Sequence, residues 1–197
     1  MDSFLFDLLQ GAGIAAAIGI RPFLPVLFVG ALAAANLGID FGGTDFVFLE
    51  EAPALAIVLV MLALATLVVR RSGPDAPEQP PYMWMFLGIA VVLGALQGAA
   101  SLADHGHPVV AGVIVGAACA ALGYFAIRNL LVRTRRRLDA ETAGTLPVYA
   151  EGASLAAAGV SVLFPPLALL VIAGLIALLV GGRRRSGEKY AGLRILR

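Results

Sequence analysis

Charge is what this sequence has least of. Only 14% of its 197 residues are Asp, Glu, Lys or Arg, whereas 60% are hydrophobic and mean hydropathy is +0.92. A soluble core of this length cannot hide so much apolar surface, so the composition excludes an ordinary soluble domain and points to a polytopic membrane protein. Cysteine is nearly missing too. Cys119 stands alone in an apolar segment, which excludes an intramolecular disulfide and reads as a small buried residue rather than a redox centre. The N-terminus carries Asp2 and Asp7, with no basic residue ahead of the first apolar run. The N-terminus therefore lacks the positive region of a signal peptide, and the first segment is expected to be retained. Enzyme signatures are missing as well: there is no His-Glu-x-x-His, no Gly-x-Ser-x-Gly and no phosphate-cradling glycine loop ending in Lys-Ser/Thr. The expectation is a protein that is not an enzyme and holds no cofactor, with an intramembrane enzyme of unknown type as an alternative.

What is present is a series of seven apolar segments, at 4–20, 22–39, 53–69, 83–103, 108–132, 147–164 and 167–180. Each is rich in Ala, Leu, Val and Gly and has no charged face, so α-helix in lipid is the expected state. No hydrophilic stretch is long enough for a separate soluble domain, which makes residues 1–197 a single all-α membrane domain. The fourth and fifth segments are long enough to cross a hydrocarbon core of about 30 Å at about 1.5 Å per residue. The first, second, sixth and seventh are short and come as adjacent pairs joined by prolines, at Arg21-Pro22 and at Pro165-Pro166. Each pair reads either as two short tilted spans or as a re-entrant hairpin whose tip stops inside the membrane.

The two pairs resemble each other. Gln10-Gly11-Ala12-Gly13-Ile14-Ala15-Ala16-Ala17 lies over Glu151-Gly152-Ala153-Ser154-Leu155-Ala156-Ala157-Ala158, and the same offset brings Phe23-Leu24-Pro25 onto Phe164-Pro165-Pro166. An odd number of crossings separates the copies under either reading of the pairs. They are therefore expected to form an inverted repeat, with halves at 4–69 and 108–182, as in transporters built around broken helices. Basic residues set the orientation. Arg70 and Arg71, the cluster from Arg128 to Arg137 and the tail 183–197 fall on one side, whereas the charges from Asp40 to Glu51 are all acidic. The rule that positive loops stay inside gives a bacterial inner-membrane protein with its N-terminus outside and its C-terminus cytoplasmic. Charge blocks of this kind describe topology, and nucleic acid is not an expected partner.

The opening pattern Gly11 to Pro25, the stretch from Pro108 to Gly116 that runs on to Arg128, and Pro147-Val148-Tyr149-Ala150-Glu151 with the later double proline together resemble the bacterial membrane family of domain of unknown function 4126. The resemblance covers residues 11–182 and implies an integral-membrane helical protein. It implies no activity.

Function must come from the polar residues that interrupt the apolar runs. Arg21 sits beside Pro22 and four residues before the next proline, Pro25. At a hairpin tip its cation demands a partner or an anionic ligand, and the prolines leave nearby carbonyls unpaired to line a polar cavity. At the end of a complete span it is only a cytoplasmic anchor. Glu151 is the acidic counterpart, with Gln10 in the equivalent place, and an intramembrane carboxylate can carry a proton. As a residue near the start of its helix it is instead favourable to the helix dipole. Arg21, Gln10, Glu151, Pro22 and Pro25 form the candidate substrate site of a small transporter or lipid translocase for an anionic lipid or a small organic anion. A noncatalytic scaffold or accessory subunit is the competing reading. Asp104, His105 and His107 lack a further ligand at metal-binding spacing and read as a solvated turn, with no metal site. Tyr82, Trp84 and Tyr149 read as interfacial anchors. Gly94, Gly98, Gly112 and Gly116 read as close helix packing, within a compact bundle or at a homodimer face, with membrane lipids as surroundings.

Overall fold

The computed structural model of the chain describes residues 2–191, and side chains except those at positions 2, 140 and 182–191. Much of the basic tail therefore lies outside the described residues. Within them the chain is all-helical, without strands: α1 (Asp2–Ile20), α2 (Phe23–Ala34), α3 (Ala52–Ser72), α4 (Tyr82–Ala103), α5 (Val109–Arg135), α6 (Ala140–Leu163) and α7 (Ala168–Ala191). Single 3-10 turns lie at Val47–Leu49, Ala76–Glu78 and Pro165–Leu167. Five helices are long and apolar enough to cross a membrane: α1, α3, α4, α5 and α6. The arrangement is compatible with a multi-pass membrane protein.

One boundary differs from the sequence reading in a way that matters. The sixth segment does not begin at Pro147. Asp139 accepts a hydrogen bond from the Thr142 N–H (3.0 Å) and caps a helix that starts at Ala140, leaving Pro147 in its interior. A proline in a helix removes one backbone hydrogen bond and strains one turn, but the cap and the apolar run behind it carry the helix through. α6 is thus as long as the other spans. α2, with 12 residues, is far too short to cross by itself, and the apolar stretch Pro165–Gly181 that carries the start of α7 is also shorter than the five spans.

α1 is the axis of the molecule. Every residue from Gln10 to Ile20 is buried, as expected of a helix apolar on all sides. It packs on α4, α5 and α6, and glycines set the distances. A Cβ at Gly19 would lie 2.1 Å from the Ala120 carbonyl oxygen, and one at Gly123 would lie 2.3 Å from that of Ala16. α4 and α5 meet in the same manner: a Cβ at Gly112 would be 2.1 Å from the Gly98 carbonyl oxygen. Small residues at four-residue spacing let backbones touch, the usual device of helices in lipid. The perimeter is apolar instead of polar. α3 exposes Ile57, Leu59, Val60, Leu64 and Leu67 and buries only Val58, and Leu169, Leu170 and Ile176 of α7 face outward.

These contacts fix the levels at which helices end. His105 and His107, between α4 and α5, meet Asp7 of α1, and Arg133 near the end of α5 reaches the Leu178 carbonyl of α7. The bundle thus has a histidine end and an arginine end. α1 starts at the histidine end and stops where Gly19 packs on Ala120 and Tyr124. α5 continues for three more turns, about 16 Å at 1.5 Å per residue. α2 then turns back. From the opposite side, α6 rises to Val162 and Leu163, which stand level with Gln10 and Gly13 of α1, and α7 descends again.

Candidate functional site

Arg21 lies at the break between α1 and α2. Its backbone N–H still closes the last turn of α1 on the Ala17 carbonyl (3.2 Å), and Pro22 then caps α2. Pro22 has no N–H to offer the Ile18 carbonyl, and Pro25 has none for Arg21, so the chain reverses without a continuous hydrogen-bond ladder. Pro25 is buried in the first turn of α2. The guanidinium Nε of Arg21 is buried and has no hydrogen-bond partner among the described residues. Glu151 of α6, then Glu78, are the opposing charges that act on it. Of the five residues singled out in the sequence, Arg21, Pro22 and Pro25 lie together at the helix break, and Glu151 acts on Arg21 from α6 without forming an ion pair with it.

Gln10 is elsewhere. Eleven residues up the same helix, about 16 Å away, its amide donates to the carbonyls of Gly38 (2.8 Å) and Val162 (3.1 Å). It ties the turn after α2 and the end of α6 to α1. Ser154 and Ser161 return their hydroxyls to their own helix, donating to Glu151 O and Ala157 O, each at 2.7 Å.

Glu78, Tyr124 and Arg135 also act on Arg21, Arg128 acts on Glu78, and none of these four is assigned that place by the sequence alone. The loop 73–81 folds inward, burying Ala76, Pro77 and Glu78. Tyr124, one turn beyond Ala120, donates its hydroxyl to the Pro77 carbonyl (2.6 Å), with the Met83 carbonyl at 2.9 Å. Arg128 Nε donates to the Glu78 carbonyl (3.0 Å). Arg135 donates to the Pro74 carbonyl (2.7 Å) and pairs with the Glu78 carboxylate (3.1 Å), while its own Nε is buried without a partner among the described residues. Burial pushes the Glu78 carboxyl above its ordinary value, against the pull of Arg135 and Arg21. An open cavity of about 340 Å³ borders this loop, lined by Asp75, Glu78, Gln79, Arg128, Arg135 and Arg136 among others. The available signal in the sequence is a lone Glu between prolines and a Tyr inside an apolar helix, and neither names its partner.

At the histidine end, Asp7 Oδ2 stands 3.2 Å from His105 Nδ1 and 3.5 Å from His107 Nε2, and Ser3 Oγ is 3.3 Å from His107 Nε2. Among the described residues no group of three or more such ligands is disposed to hold a metal ion. Gln97 of α4 is 1% exposed, and neither atom of its amide has a partner.

No protein-family model, curated protein or solved structure matches this chain.

Proposed function

We propose that the protein is a small membrane transporter or lipid translocase whose substrate carries an anionic group, which binds at Arg21. The observation that carries this reading is the buried, unpartnered Nε–H of Arg21 at a proline-broken helix reversal. A guanidinium donor taken out of water and left without an acceptor is costly, and an anionic ligand relieves that cost. A scaffold gains nothing from it.

Two relations support a re-entrant, inverted architecture around the site. First, α1 ends about 16 Å short of the end of α5, so with the arginine end in the cytoplasm Arg21 falls within the hydrocarbon thickness. Second, the offset that lays Gln10 on Glu151 also lays Arg21 on Val162. Gln10 bonds the backbone of Val162, and Glu151 is the foremost opposing charge on Arg21. Each pair is the image of the other, as a two-fold axis in the membrane plane demands. The packing of α1 on α7 likewise mirrors that of α6 on α2. Glu151, facing Arg21, is the residue to carry a coupling proton. The test is anion or lipid flux through purified protein in liposomes: wild type should exceed protein-free vesicles, and Arg21→Gln should not.

A further inference from the structure

Arg21 is not alone in lacking an acceptor. Arg135 also buries an Nε–H without a partner, and both guanidinium groups act on the same carboxylate, that of Glu78. Tyr124 and the loop link them: Gly19 packs on Tyr124, Tyr124 bonds Pro77, and Glu78 follows Pro77 in the chain. Arg128 holds the same loop, and Arg136 lines the adjoining cavity. Arg128, Arg135 and Arg136 line the cavity with Asp75 and Glu78, and Glu151 and Glu78 both act on Arg21.

We infer that this cluster is the binding site for a singly charged phosphodiester, whose two free oxygens accept from the unpartnered Nε–H groups of Arg21 and Arg135, and that Glu78 is the resident carboxylate it displaces. One singly charged group takes the place of the one carboxylate it displaces. Two separate donors match two equivalent non-bridging oxygens. The cavity on the loop's outer side is the entry, and the loop 73–81 must swing outward to admit the group. A phospholipid headgroup and a free organic phosphodiester share this chemistry. The inference rests on the reading of Arg21 as an anion site and adds the class of anion and the competing carboxylate.

The test uses the full chain in an uncharged maltoside detergent at low salt, titrated with diethyl phosphate, short-chain phosphatidylglycerol and acetate, with affinity taken from the shift in unfolding midpoint. Phosphodiester binding is expected, weakened about 10–100-fold by Arg21→Lys or Arg135→Lys and tightened by Glu78→Gln. Glu78→Asp, which keeps the loop's charge but draws the carboxylate back, should tighten it less. Response to both phosphodiesters would show that the group itself is recognised. Response to the lipid alone, with the same dependence on both arginines, would assign the site to a headgroup. Arginine-dependent binding of acetate without either phosphodiester would overturn the inference while leaving Arg21 as an anion site. Binding of no anion, to wild type or to Glu78→Gln, would overturn the inference, and flux in liposomes would then decide the transporter reading separately.

Discussion

Arg21 and Gln10 show how far single residues can be read. An arginine beside a proline in an apolar run marks a helix break, and the structure places a break there. The alignment of Gln10 with Glu151 can be drawn from the sequence, but the use of Gln10 cannot. An amide that donates to two carbonyls from different turns can only be recognised once those turns are folded against it. Gln10→Leu should therefore destabilise the protein by about 1–3 kcal/mol, because two buried carbonyls lose their donor, and should leave anion affinity at Arg21 unchanged. Thermal unfolding alongside an anion titration checks both halves. Glu78 yields a pH prediction. Its carboxyl is held above the ordinary value of 4.5 by burial, so the folded state binds the proton more tightly than the unfolded chain. The stability it contributes is complete below that ordinary value and is lost as pH rises through the raised one. Wild type should lose unfolding temperature across that window, and Glu78→Gln should show a flatter profile.

At the scale of elements, helix existence is legible and helix purpose is not. Composition locates all seven helices, because a run of Ala, Leu, Val and Gly without charge has no other stable form in lipid. The start of α6 is hidden because Pro147 reads as a first-turn proline. The true start lies two turns earlier, where the Asp139 carboxylate takes the free N–H of Thr142. The loop 73–81 looks like a spacer because its binding partners, Tyr124, Arg128 and Arg135, lie far along the chain and enter only through tertiary packing. The glycine spacing on α4 and α5 is readable, and it carries its own prediction. At Gly112 an added Cβ would press on the Gly98 backbone at 2.1 Å, and backbone cannot rotate away. Gly112→Ala should cost about 1–3 kcal/mol, whereas Gly88→Ala, where nothing lies within 4 Å, should be silent. Unfolding midpoints in detergent distinguish the two.

For the whole molecule, the orientation rests on three basic clusters and is a proposal that labelling can decide. In a Cys119→Ala background, a cysteine replacing exposed Asp45 should react with an impermeant thiol reagent outside intact cells, and one replacing exposed Arg137 should be protected. Gly43 and Gly106 are poorer positions, since their φ of +77° and +70° disfavours any side chain. Reversed labelling would open the Arg21 side of the bundle to the outside and remove the cytoplasmic entry past loop 73–81. The proposed role of the whole molecule is to pass an anionic group across the membrane by way of a cation at a broken helix. The most direct measurement is flux in liposomes of wild type, Arg21→Lys and Arg21→Gln at matched insertion. Lysine keeps the charge but loses the planar two-point geometry, so flux should fall about tenfold or more with lysine and reach the protein-free level with glutamine. Equal flux from all three, or none from wild type, would contradict the account and leave Arg21 as an anchor at the end of a span.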